Sequence, residues 1–395
     1  MRFRLTENLF CVRVPRMSII FAQGEERRGT GNIKWDLQGP LPFGIADMDI
    51  ESPPCVINAM QERLNHHFYG YGIMKDSLRE AIVAYLAARH GVQAKPEWLH
   101  ELPGCVPAFM LVARSVCKPG DNIMVCTPAY PPMLHCHESA GATLTTLPYK
   151  ETETGWTFDW EAMEAAVRPE TRLFLLCNPH NPLGCSWTPA EMERLGDFCE
   201  RHDLILCSDE IHCDLVLDTD ARHISALTLP ERLLKRVVML AAPSKTFNIA
   251  GLGFTYMAVP DAELRERICT TQGGSLPTIN VLAYAAAEAA YREGWGWHAE
   301  LLETLRQNRE FTCRYLEAHL PQLRIRPQQS TYLLWIDCSA LGVDCPHDFF
   351  REKAGVYLDN GVFFGDKQCV RLNFACSPDQ LKQGLIAMRK AVAEL

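Results

Sequence analysis

No apolar run in this chain approaches the roughly 18 residues of a membrane-spanning helix, although 47% of its 395 residues are hydrophobic. No segment is strongly basic either. The net charge is −9, which argues against nucleic acid as the main partner. There is no Cys-x-x-Cys: the nearest of the 17 cysteines to one another are Cys207 and Cys213. Several stand in apolar runs (Cys126, Cys177, Cys207), where a free thiol behaves as a small hydrophobe. An odd, scattered set points to a reducing cytoplasm rather than to a disulfide framework or a zinc site. Met1 to Arg16 contain no hydrophobic signal core, so a secretory leader is not expected. Internal repeats and low-complexity tracts are also lacking.

What is present is a long alternation. Short apolar runs at Asn122–Cys126, Leu173–Cys177, Leu204–Ser208 and Val237–Leu240 each end in polar residues and then give way to a helical pattern. That predicts a mostly parallel sheet between helices, with a site at the carboxyl ends of the strands. Helices are expected over Cys55–Leu64, opened by a proline pair, and over Asp76–His90, stopped by Gly91. Thr188-Pro189-Ala190-Glu191 is a capping box that starts another, running to His202. A chain of 395 residues exceeds what one core usually serves. The composition shifts past Asn280: an Ala-rich helix (Val281–Tyr291), a Trp-Gly-Trp turn and a long helix through His319 lead into a second unit. Strands are expected there at Thr331–Asp337 and Cys369–Phe374, and Ser377 caps the last helix. The segment before about Met60 is expected to pack with that unit.

Each strand-end polar residue has a bland reading and a chemical one. Lys245, between Pro243-Ser244 and Gly251-x-Gly253, could be a surface lysine beside a turn. Set into a buried loop it would lose proton affinity and become a candidate Schiff-base nucleophile. Asp209 could cap a helix, or hold a charge at the end of a buried strand. Asn181 could be an Asn-Pro turn residue. His212 could be a structural histidine, Tyr130 a core aromatic, Arg371 an arginine on an edge strand, and Tyr71 part of a glycine-flanked surface turn. The Gly104-Cys105-Val106 turn enters a helix N-terminus, whose free N–H groups and dipole attract an anion.

The order and spacing of these pieces carry a resemblance. Asn178-Pro-His-Asn181-Pro-x-Gly184, Asp209-Glu-Ile-His212, Ser244-Lys-Thr-Phe-Asn248 and Arg371-Leu-Asn-Phe374 resemble the motifs of MalY/PatB-like C–S lyases. These are the cystathionine β-lyase branch of the fold-type I pyridoxal phosphate (PLP) enzymes, within the class I/II aminotransferase superfamily. The resemblance runs from Met17 onward. It implies a large domain with a seven-stranded, mostly parallel sheet between helices, and a smaller α+β domain, as in aspartate aminotransferase. The expected divisions are residues 1–16 as an extension, 17–60 packing with the small domain, 61–280 as the PLP-binding domain and 281–395 as the small domain.

The resemblance also implies roles. Lys245 would carry PLP and act as the general base. Asp209 would keep the ring nitrogen protonated, Asn181 and His212 would meet the phenolic oxygen, and Tyr130 would stack on the ring. The phosphate would be held by backbone N–H groups of Cys105 and Val106, by Ser244, and by Tyr71 of the partner subunit in a homodimer. Gly253 and Phe254 stand where aminotransferases carry an arginine for that phosphate. Arg371 would clamp the substrate's α-carboxylate, and Asp47 and Met48 would lie on the substrate side. The implied reaction is α,β-elimination from an L-cysteine thioether, giving thiol, pyruvate and ammonia. The alternatives are an aminotransferase on the same scaffold, or a lyase that also acts as a regulatory binding protein.

Overall fold

The structure is a computed structural model that describes residues 19–22 and 27–395; the expected extension over residues 1–16 lies outside the described residues. Its centre is one seven-stranded sheet: β1 (Leu99–Leu102), β2 (Asn122–Thr127), β3 (Thr143–Pro148), β4 (Thr171–Cys177), β5 (Ile205–Asp209), β6 (Val237–Ala241) and β7 (Thr255–Ala258). The order is β1-β7-β6-β5-β4-β2-β3. β2 to β6 pair in parallel, and β7 runs antiparallel to both β6 and β1. β1, β3 and β7 escape the sequence pattern because no strand-end motif marks them, and β3 is a half-exposed edge strand without an apolar run.

The inner parallel strands β2, β4, β5 and β6 are buried on both faces, so they read as continuous apolar runs. Along β4 the side chains alternate between two cores. Phe174 and Leu176 face one, while Leu173, Leu175 and Cys177 face the other. Helix signals translate closely. The proline-opened helix is α1 (Pro54–Leu64). The next, α2 (Asp76–His90), ends at Gly91 with φ 68°, a left-handed cap that glycine adopts without a Cβ clash. The reciprocal capping box of Thr188 and Glu191 opens Pro189–Arg201.

A four-stranded antiparallel sheet forms the second layer: β8 (Arg324–Ile325), β9 (Leu333–Asp337), β10 (Asp359–Asn360) and β11 (Cys369–Asn373), in the order β8-β9-β11-β10. Its core joins Leu333, Leu372 and Leu385 to Phe43, Met48, Ile50 and Val56 from the amino-terminal segment. One local expectation fails. Trp295-Gly296-Trp297 is not a turn but the first turn of the 25-residue helix Trp295–His319. Tertiary packing overrides the glycine's low helix propensity: Trp297 is buried and Trp295 stacks on Tyr85 with centroids 5.2 Å apart. Among the described residues every cysteine is unpaired. No helix of these residues is long and apolar enough to cross a membrane.

Candidate active site

At the carboxyl ends of β4, β5 and β6 lies a cavity of about 440 Å³. Lys245, Ser244, Asp209, His212, Asn181, Tyr130, Cys105, Val106 and Arg371 all line it, although they come from six separate stretches of chain. Parallel strands bring their carboxyl ends to one edge, and that geometry gathers the strand-end motifs.

Lys245 follows β6. Its Nζ donates to the Ala46 carbonyl at 2.5 Å, an oxygen that also accepts from Tyr332 Oη at 3.0 Å. Burial pulls the lysine down to about 8; the nearby Asp47 carboxylate opposes this and the Arg371 charge adds to it. Asp209 closes β5 with its carboxylate buried. That burial pushes it up to about 7, against the Ile211 N–H that it accepts. A carboxyl so poised takes its charge readily once a cation stands beside it. Burial, then the Lys245 and Arg371 charges, push His212 down to about 3, so its ring is neutral and its buried Nδ1 has no partner.

Asn181 and Arg371 are tied together. Arg371 Nη1 donates to Asn181 Oδ1 at 2.8 Å, which fixes the amide so that its Nδ2 hydrogens remain for a ligand. Arg371 Nη2 pairs with Asp359, its direct partner across the antiparallel β10–β11 pair. The guanidinium lies over Phe364 at 4.8 Å, and its buried Nε has no partner.

Gly104, with φ 135°, makes the turn into the helix Cys105–Val116, whose N-cap carries no side-chain hydrogen bond. A Cβ there would meet Pro107 Cδ at 3.4 Å, and the backbone region itself disfavours any other residue. The Cys105 and Val106 N–H groups therefore open this helix uncapped at the cavity wall, beside Ser244.

Two expectations fall elsewhere. Asp47 and Met48 do not line the cavity; Ile45 and Ala46 do. Asp47 pairs with Arg27 at 2.7 Å, and Met48 is 1% exposed in the second core. The loop is pinned from outside. Asn248 Nδ2 donates to the Met48 carbonyl at 2.9 Å and Asn373 Nδ2 to the Asp47 carbonyl at 2.7 Å. The buried Lys34 pairs with Asp49 at 2.8 Å. Tyr71 is 95% exposed and lines an outer groove with Phe68, Ile73 and Tyr284, outside its own chain's cavity.

Sequence reasoning assigned no role to Asp359, Thr255, Phe254 or Cys177, which line the cavity. Nothing local marks Asp359, whose importance comes from its pairing opposite Arg371. Asn248 and Asn373 do stand within two of the family motifs, and that placement was the available signal.

The residues fit PLP. A basic amine, a buried carboxylate, a neutral histidine and free amide hydrogens surround one cavity, and uncapped helix N–H groups suit a phosphate. The orphaned His212 Nδ1 and Arg371 Nε are buried polar atoms that need a partner the chain itself does not supply. Lysine and aspartate at neighbouring strand ends, over a helix N-terminus, define a PLP-dependent enzyme of the aminotransferase fold. The profile of aminotransferase class I and II matches residues 39–387, and the chain belongs to that family, in its MalY/PatB-like branch. It is 34% identical to cystathionine beta-lyase PatB of Bacillus subtilis, over 94% of this chain and all of that one. Among solved structures it is similar to OvoB, with a TM-score of 0.91 and 37% identity, covering 94% of this chain and 98% of that one. Cystalysin of Treponema denticola, whose structure contains pyridoxal 5'-phosphate, has a TM-score of 0.91 and 27% identity, covering 96% of this chain and all of that one.

Proposed function

We propose that this chain is a carbon–sulfur lyase that eliminates the thiol from L-cysteine thioethers such as cystathionine, giving pyruvate and ammonia. The observation that carries the reading is the single cavity that holds Lys245, Asp209 and Arg371 together. The cofactor supplies the electron sink that makes the substrate's α-proton removable.

The residues divide the remaining work. Arg371, held by Asn181 and Asp359, offers its Nε edge to the α-carboxylate and fixes rotation about Cα. Lys245, neutral above about pH 8, takes the α-proton and returns a proton to the departing sulfur. Asp209, ionised, would keep a proton on the cofactor's ring nitrogen. Asn181 Nδ2 and His212 would hold the phenolic oxygen, and Tyr130 would cover the ring. The amides of Cys105 and Val106, with Ser244, would hold the phosphate. The outer parts of the substrate meet Ile45 and Ala46, and Asp47 and Met48 act by shaping that loop. The division into 61–280 and 281–395, with 17–60 on the smaller unit, belongs to the same reading. The shared core of Phe43, Val56 and Leu372 supports it.

The test is pyruvate release from a panel of cysteine thioethers with no keto acid present. Steady release supports the lyase. Product that appears only when a keto acid is added, with the cofactor cycling through its amine form, returns the chain to the aminotransferases.

A cytoplasmic homodimer completes the proposal. Phe68, Tyr69, Tyr71 and Ile73 are largely exposed in one short loop, an apolar surface that a second subunit would cover. Tyr71 of the partner subunit would then complete the phosphate site in place of the absent arginine. Tyr71→Phe is expected to weaken cofactor retention by about 1 kcal/mol, roughly fivefold, the net worth of one hydrogen bond. Equilibrium titration of cofactor-free protein measures it. An active, cofactor-saturated monomer in analytical ultracentrifugation contradicts the sharing.

A further inference from the structure

Behind the cavity, on the far side of the turn that follows β5, lies a second buried polar cluster. Asp209, Ile211 and His212 of this turn line the cavity, while Cys213 and Asp214 meet Tyr85 of α2. His90 Nε2, Cys213 Sγ and an Asp214 oxygen lie within 4.8 Å of one another, a spacing that suits metal ligands. The middle of that trio is filled by the Tyr85 hydroxyl. It donates to Asp214 Oδ2 at 2.8 Å and lies 2.9 Å from His90 Nε2 and 3.3 Å from Cys213 Sγ. Arg89 Nε, 3.6 Å from Asp214 Oδ1, adds a positive charge where a cation would sit. The cluster is a hydrogen-bond hub.

Asp214 is its centre, and four pieces of chain meet there. Tyr85 and His90 arrive from α2. Thr246, fully buried, donates its hydroxyl to Asp214 Oδ2 at 3.3 Å. His298 Nε2 donates to the Asp214 carbonyl at 2.7 Å. Tyr85 is itself clamped, stacked on Trp295 with an interplanar angle of 7°. Burial alone would raise this carboxyl; the His90 hydrogen bond, then the charges around it, outweigh burial and hold it well below the usual carboxylate range. It is therefore a buried anion whose Oδ2 accepts from both Tyr85 and Thr246.

The connectivity gives the hub a consequence. Thr246 is the residue after Lys245, and Asp214 stands two residues after His212 and five after Asp209. One carboxylate thus ties the lysine loop to the turn that carries the ring-nitrogen carboxylate and the neutral histidine. We propose that Asp214 is a positioning residue, acting through Thr246 and its own turn, that sets Lys245 against Asp209 and His212. Neither Asp214 nor Thr246 lines the cavity. The proposal rests on the assignment of Lys245 as the cofactor lysine.

Thr246→Val tests it, because it removes the hydroxyl and nearly conserves volume; Thr246→Ser keeps the hydroxyl. In the cofactor-loaded enzyme, Thr246→Val is expected to lower kcat about tenfold and to move the pH at which the bound cofactor's absorbance changes. KM should stay within about twofold and Tm within a few degrees of the Ser variant. Thr246→Ser should restore both kcat and the spectral titration. Asp214→Asn, which keeps the shape and loses the charge, should shift the spectral titration in the same direction and weaken cofactor binding to the cofactor-free chain. If Asp214→Asn does not fold, the Thr246 pair decides. A Val variant with wild-type kcat and wild-type spectral titration overturns the proposal. Equal losses in the Val and Ser variants also overturn it, since they would report packing alone. The wild-type control separates the two readings: borohydride labelling of another lysine refutes the Lys245 assignment, whatever the Thr246 variants do.

Discussion

Lys245→Ala is expected to reduce pyruvate release by at least about a thousandfold, the scale for losing both a covalent anchor and a general base. The purified variant should lack the covalently held chromophore, and borohydride should fix no cofactor to the peptide that spans Lys245. The pH dependence follows from the cavity. Only the neutral amine attacks an aldehyde, and burial favours the neutral form, so Lys245 loses its proton near pH 8. In cofactor-free protein, capture of added cofactor should accelerate with pH and level off above about 8. An ordinary lysine would keep accelerating toward about 10.4. Stopped-flow absorbance across pH 6 to 10 separates the two, and a rate still rising steeply at the top of that range contradicts the buried, depressed amine.

Arg371→Ala is the second large effect. Replacing the guanidinium removes up to two charge-assisted hydrogen bonds to the substrate carboxylate, each worth roughly 1.5–3 kcal/mol. At about 1.4 kcal/mol per tenfold, kcat/KM should fall on the order of a hundredfold to ten-thousandfold, and cofactor should stay bound. The variant also leaves Asp359 without its partner, so part of the loss would be a rearranged wall. Arg371→Lys keeps a charge beside Asp359 without the planar fork. If the fork is what matters, Lys should recover little of the loss. An Ala variant with wild-type kcat/KM would mean that the carboxylate binds elsewhere.

The family motifs name Asn181 and Arg371 but not the bond between them. These residues are 190 apart in sequence and meet only because the fold brings Arg371 of β11 to the segment that follows β4. The Ala46–Asp49 loop shows the opposite failure. The resemblance puts Asp47 and Met48 on the substrate side, yet their side chains are engaged by Arg27 and the second core, and the Ala46 carbonyl meets Lys245 instead. Tyr71 is legible as part of an aromatic loop. Its 95% exposure and its place in an outer groove, away from its own chain's cavity, are set by the tertiary structure alone.

By itself the sequence determined the alternation of strands and helices, the capped ends at Gly91, Thr188 and Ser377, and the strand-end positions of Asp209, Asn181 and Lys245. Those follow from hydrophobic period, backbone sterics and capping, all of which act within a few residues. The tertiary structure alone decided which neighbours those residues have: Asp359 beside Arg371, the Ala46 carbonyl on Lys245, the hub that joins Asp214 to Thr246, and the helical start at Trp295. Such contacts depend on which distant segments share a core, and a buried polar atom takes whichever partner the packing brings within hydrogen-bond reach.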